Sequence, residues 1–166
     1  MKFSILLISV VFVLASYSYS SYSSIELEEL PDFQIPLFNS DKKLTDEDLR
    51  GNYILIDIWS TYCGSCLEAI PKLKTINKSF AQENFEIVSI AYNSDLELKK
   101  FFEKGNKMPW THAVAATDST RERIAKLFNV HYTPSYYFVS PKGKILANQK
   151  DFEKEGSLKG IIEKYL

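Results

Sequence analysis

Cysteine and histidine are scarce in this chain of 166 residues, which has two of each. Two cysteines exclude the disulfide framework with which small secreted domains reinforce a thin core. A structural zinc site needs four ligands at suitable spacing, and only His112 and His131 are available to join the cysteines. An excess of charge is missing too. Lys and Arg number 20 against 21 Asp and Glu, the net charge is −1, and the basic residues are scattered. That balance gives no reason to expect nucleic acid. No segment repeats with a period of roughly 20 to 50 residues, which excludes solenoids and propellers. The longest unbroken apolar or small stretch, Phe3 to Ala15, falls short of the ~20 residues that cross a bilayer.

What is present suffices for one domain with a real core, since 45% of the residues are hydrophobic. Met1-Lys2 is a minimal positive start to the Phe3–Ala15 stretch, and Val13-Leu14-Ala15 places small residues where a signal peptidase reads. Residues 1–24 are therefore expected to be a cleaved secretory signal and a Ser/Tyr-rich spacer, with one domain over 25–166. An uncleaved anchor is the alternative. No cysteine near this end offers a lipid attachment point. Export bears on the cysteines, because outside the cytosol a dithiol can persist as a disulfide.

Both cysteines fall in one stretch. Tyr53 to Trp59 (Tyr-Ile-Leu-Ile-Asp-Ile-Trp) is too apolar and β-branched to be anything but a buried strand. Leu67, Ile70, Leu73, Ile76 and Phe80 then recur at helical spacing, predicting a helix to about Gln82 with a kink at Pro71. Cys63 and Cys66 thus stand where a central strand turns into a helix N-terminus, whose free N–H groups and dipole favour a thiolate. In that position Cys63 reads as the exposed nucleophile and Cys66 as the buried thiol that resolves a mixed disulfide. A static disulfide or half a zinc site are the alternatives, although a bridge closing so short a loop adds little stability. Asp57 is a carboxylate inside the apolar strand, where burial raises its pKa.

Around this centre, Leu30–Pro36 and Lys43-Leu44 read as short edge strands, and Thr45–Asp48 as one helical turn ended by Gly51. Phe85 to Tyr92 is a second buried strand. Ser94 to Glu97 and Ser119 to Glu122 read as capping boxes that open helices. Ser135–Val139 and Lys144–Ala147 form a hairpin around Pro141-Lys142-Gly143, and Leu158 to Leu166 is a closing amphipathic helix. Strands alternate with helices and end in a hairpin, so the fold is α/β, a mixed sheet with helices on both faces.

Asp57, Trp59, Cys63-Gly64-Ser65-Cys66, Pro71 and Thr133-Pro134 ahead of a β-run together resemble the thioredoxin superfamily over roughly residues 30–166. A Pro31-Asp32-Phe33 strand ahead of the core and an extra stretch near Asn93 to Ala116 are similar to the exported TlpA/ResA-type thiol-disulfide oxidoreductases, which resemble peroxiredoxins in outline. This resemblance implies a thioredoxin-like three-layer sandwich with an N-terminal strand extension and an αβ insertion before a cis-proline at 134. It implies a redox disulfide Cys63–Cys66, with Asp57 exchanging protons with Cys66. The Thr133 backbone beside Pro134 would pair with an extended substrate, with Tyr62, Gly64 and Ser65 around it and Trp59 either beside them or in the core. Glu68 stands one position ahead of the glutamate usual in that pattern, where this chain has Ala69, so no role is carried over from it. His131 is read as a surface or core residue.

The same resemblance implies exported protein disulfides or thiols as substrates, apocytochrome c among them, and a membrane electron donor. A monomer is expected, with neither cofactor nor metal. Gly64-Ser65 lacks the histidine that stabilises the thiolate of strong oxidants, which favours a reductase. Three other readings stay open. One is a disulfide-introducing oxidase. Another is a peroxiredoxin-like peroxidase, although Ile56 stands where its frame needs proline. The third is a copper-delivery protein using His131.

Overall fold

The structure is a computed structural model that describes residues 28–166. The expected signal and spacer at 1–24, and residues 25–27 of the expected domain, lie outside the described residues. Among the described residues seven strands form two sheets. β1 (Gln34–Pro36) and β2 (Lys43–Thr45) pair antiparallel as a hairpin. β3 (Tyr53–Trp59), β4 (Phe85–Ala91), β5 (Thr111–Val114), β6 (Ser135–Val139) and β7 (Ile145–Ala147) make a mixed sheet in the order β5-β4-β3-β6-β7. β3 is central, parallel to β4 and antiparallel to β6. Its apolar, β-branched sequence fits a strand covered on both faces, and six of its seven residues are buried.

Among the described residues five α-helices cover the sheet: α1 (Gly64–Ser79), α2 (Asp95–Glu103), α3 (Asp118–Leu127), α4 (Gln149–Glu155) and α5 (Leu158–Ile162). Alternation along β3 divides the core. Ile54, Ile56 and Ile58 pack with Ile124 and Phe128 of the α3 segment and with Phe33, Ile35 and Leu44 of the N-terminal hairpin region. Leu55 packs with Leu73 and Ile76 of α1, Phe152 of α4 and Ile161 and Ile162 of α5. Trp59 packs with Cys66 and Ile70 of α1 and Leu98 of α2. The result is the expected three-layer, thioredoxin-like arrangement.

Several boundaries differ from the sequence reading. Residues 111–114 form an edge strand, the β part of the implied αβ insertion although the residue pattern marked no strand there, hydrogen-bonded parallel to β4 and bridged to Leu37. Thr-His-Ala-Val is too short to show alternation, and its partners lie far off in sequence. The N-cap of α3 is Thr117, whose Oγ1 accepts from the Thr120 N–H at 3.2 Å. The expected box at Ser119–Glu122 therefore does not form. Ser94 and Glu97, by contrast, make the reciprocal bonds of a capping box at α2. The single closing helix is two: α4 was not expected, and Gly156, at φ 69°, ends it in the left-handed conformation before α5. α1 runs through Pro71 to Ser79.

Candidate active site

The dithiol sits at the join of β3 and α1. Cys63 is the N-cap of α1, extended at φ −94°, ψ 108°, and its Sγ accepts from the Cys66 N–H at 3.2 Å. The two sulfurs are bonded to each other. Cys63 is half-buried whereas Cys66, one turn into the helix, is buried. Two further groups approach Cys63 Sγ: Ser65 Oγ at 3.4 Å and the Thr133 carbonyl oxygen at 3.4 Å. Thr133 precedes a cis peptide bond to Pro134, just ahead of β6.

The turn before Cys63 is pinned from β4's far end. Asn93, buried, accepts from the Thr61 N–H at 2.9 Å and donates to Thr61 Oγ1 at 2.9 Å. Tyr62 stands out at 77% exposure, and its hydroxyl donates to Glu97 at 2.6 Å. That bond, with the bonds from Ser94, holds the Glu97 carboxyl down at about 2. Tyr132, half-exposed, bonds through its hydroxyl to Glu153. Gly64 is exposed, and a side chain there would meet nothing within 4 Å.

Asp57 lies beneath. Alternation puts it on the same face of β3 as Leu55 and Trp59, the face that α1 covers. It is 2% exposed, and burial pushes its carboxyl up to about 7 against the pull of a hydrogen bond from Ser89 Oγ at 2.8 Å. Sheet register sets a row of polar side chains across this face: His112 on β5, Ser89 on β4, Asp57 on β3 and Tyr136 on β6. All four are buried. Burial lowers the His112 pKa, and burial with the nearby Asp57 raises that of Tyr136. The Trp110 indole N–H donates to Ser89 Oγ at 2.8 Å.

Of the expected residues, Cys66, Ser65 and the Thr133 carbonyl each lie within bonding reach of Cys63 Sγ, and Pro134 follows Thr133 across the cis bond. Tyr62 and Gly64 border them on the surface. Trp59 is corrected. At 1% exposure, with its ring edge-on to Phe101 at 5.4 Å, it is a core side chain with no face left for a substrate. Glu68 and His131 are exposed. Among the described residues no group of three or more His, Cys, Asp or Glu is placed to hold a metal. Ser89, Asn93 and Trp110 were not singled out from sequence. A serine in the apolar run Phe85–Ala91 carried the same signal as the aspartate in β3.

Comparison with known proteins agrees with this geometry. Residues 27–148 match the AhpC/TSA family, nearly three quarters of the chain. The chain belongs to the AhpC/TSA family. It is 25% identical over 159 residues to the thiol-disulfide oxidoreductase ResA of Bacillus cereus (strain ATCC 10987 / NRS 248), covering 94% of this chain and 88% of that protein. It is 31% identical over 117 residues to the thiol:disulfide interchange protein DsbE of Pseudomonas fluorescens biotype C, covering 69% and 61%. Its fold is that of the thioredoxin domain of a thiol-disulfide oxidoreductase from Bacteroides vulgatus, with a TM-score of 0.72, 21% identity and coverage of 86% and 99%. The paired cysteines and these relationships together make the chain a thiol-disulfide oxidoreductase.

Proposed function

We propose that this thiol-disulfide oxidoreductase works as a reductase on disulfides of exported proteins. The observation that carries the reading is the meeting of Cys63 Sγ, the α1 N-terminus and the Thr133 carbonyl next to a cis-proline. The helix end favours a Cys63 thiolate, and the exposed Ser65 hydroxyl at 3.4 Å adds one donor to it. No histidine or other cation lies between the cysteines, so the thiolate is not over-stabilised in the manner of a strong oxidant.

In the forward step the Cys63 thiolate attacks one sulfur of the client disulfide, and the other client sulfur leaves with the electron pair and takes a proton. Cys66 then gives its proton to Asp57 and attacks Cys63 Sγ. The Cys63–client bond breaks, the second client sulfur leaves with the electron pair as a thiolate and is protonated by solvent, and the Cys63–Cys66 disulfide forms. Two electrons pass from dithiol to client. The client backbone adds as a strand beside Thr133 and Pro134, with Tyr62, Gly64 and Ser65 forming the rim. A membrane-bound dithiol donor returns the two electrons, the chain acts as a monomer after removal of residues 1–24, and apocytochrome c is among its clients.

Trapping in the producing cell tests this. Cys66→Ser is expected to accumulate mixed disulfides with exported proteins and Cys63→Ser none. Traps confined to Cys63→Ser would overturn the assignment. A peroxide-consumption assay separates the peroxidase reading, for which the AhpC/TSA relationship is the favouring observation.

A further inference from the structure

We propose that Ser89 and Trp110 are positioning residues for Asp57, a one-way pair of donors that fixes Oδ2 of the carboxyl as an acceptor and leaves Oδ1 to receive the Cys66 proton. The proposal rests on the reading of Asp57 as the proton acceptor in resolution. Its basis is the direction of two hydrogen bonds. Trp110 Nε1 lies 2.8 Å from Ser89 Oγ, and Ser89 Oγ lies 2.8 Å from Asp57 Oδ2. An indole N–H only donates, so Ser89 Oγ accepts from it. The single proton of the Ser89 hydroxyl is then committed to Asp57 Oδ2. Ser89 is fully buried, so no solvent competes for that proton. Oδ2 accepts whether or not the carboxyl is protonated, and a neutral Asp57 carries its proton on Oδ1.

The pair also opposes burial. A hydroxyl aimed at a buried carboxyl stabilises its charged form, and a second donor behind the hydroxyl polarises it further. Burial and the Ser89 bond are the two influences on Asp57. The other titratable groups that sheet register sets in its row are Tyr136 from β6 and His112 from β5, one strand beyond Ser89, and the helix covering this face, α1, carries Cys66. The lone hydroxyl of Ser89 therefore decides how much carboxylate is present to accept a proton near neutrality.

Trp110 comes from the segment between α2 and β5, the extra stretch ahead of the cis-proline. Its indole packs between the two apolar clusters beneath α1. Through this bond the insertion reaches the carboxyl on the sheet face under α1.

The test is the titration of Asp57 in the full chain, read from the carboxyl carbon resonance of 13C-labelled aspartate, together with the pH profile of mixed-disulfide resolution. Ser89→Ala is expected to raise the Asp57 midpoint by about one to two pH units, the worth of one charge-assisted hydrogen bond. The acid limb of the resolution profile should move up with it, so that at neutral pH resolution is about tenfold slower and recovers in alkali. Trp110→Phe, which keeps an aromatic ring and loses the donor, should shift both readouts the same way by less. Ser89→Thr, which restores the hydroxyl, should return them toward wild type. An Asp57 midpoint unchanged in both Ser89→Ala and Trp110→Phe overturns the proposal, while slow resolution in Asp57→Asn leaves the acceptor role standing. If Asp57→Asn resolves mixed disulfides at the wild-type rate, the acceptor role falls and the proposal falls with it.

Discussion

At the scale of single residues, Asp57 joins stability to chemistry. Its folded-state pKa, about 7, lies above the ordinary value of 3.8, because burial outweighs the Ser89 bond. A raised carboxyl stabilises the fold fully below about pH 4 and loses that contribution as pH rises through 7. Between those limits the slope from this one group is about 1.4 kcal/mol per pH unit. Asp57→Ala should therefore change sign with pH. At pH 5 it removes a neutral, hydrogen-bonded group and strands the Ser89 hydroxyl, costing about 1 to 3 kcal/mol. At pH 8 it removes a buried charge and should stabilise the oxidised protein. Urea unfolding at the two pH values checks this, and the same sign at both would contradict it. The cysteines differ in the same local way. Cys63 is half-buried at the helix end and Cys66 is 3% exposed, so after reduction Cys63 should be alkylated at least tenfold faster. Comparable rates would remove its assignment as nucleophile.

At the scale of elements, legibility followed length and period. β3, β4 and α1 were plain in the sequence, because long apolar runs and helical spacing leave little choice. β5 and α4 were not. Each is short, and each is fixed by partners distant in the chain: β5 by β4 and Leu37, α4 by the Tyr136 and Phe138 face of the sheet. The start of α3 shows how a local signal misleads. Ser119 with Glu122 has the form of a capping box, yet Thr117 lies two residues earlier and takes the first turn. Substitution separates the two. Thr117→Ala should cost about 1 kcal/mol of stability, the usual worth of an N-cap, and Ser119→Ala a few tenths. Chemical denaturation of the pair checks this, and the reverse order would mean that the helix starts at Ser119 in solution.

At the scale of the whole molecule, the fold brings together what sequence could name only separately. The Cys63–Cys66 pair and Thr133-Pro134 are about seventy residues apart, and β6 lying antiparallel beside β3 puts the Thr133 carbonyl 3.4 Å from the nucleophile. The polar row under α1 was half legible. Asp57 stood out as an acid in an apolar strand, whereas Ser89, Trp110 and His112 acquire meaning only through sheet register. What this assembly withholds from Cys63 sets its redox poise. Among the described residues, the groups that hydrogen-bond or approach its sulfur are the Cys66 N–H, the Ser65 hydroxyl and the Thr133 carbonyl, with no cation among them. Neutral donors and a helix end stabilise a thiolate modestly, and the carbonyl oxygen opposes it. The reduced state thus gains less than in a strong oxidant, and the couple should lie nearer about −270 mV than about −120 mV. By linkage, each ~30 mV toward the reducing side is about 1.4 kcal/mol more stability in the oxidised than in the reduced fold. The oxidised protein should accordingly unfold at distinctly higher urea than the reduced one. Ser65→His, which adds a cation beside the thiolate, should raise the potential and narrow that gap. Equilibration with glutathione and paired unfolding curves measure both quantities. A potential above roughly −150 mV, with a reduced form that outlasts the oxidised one, would make the chain an oxidase and reverse the direction of electron flow.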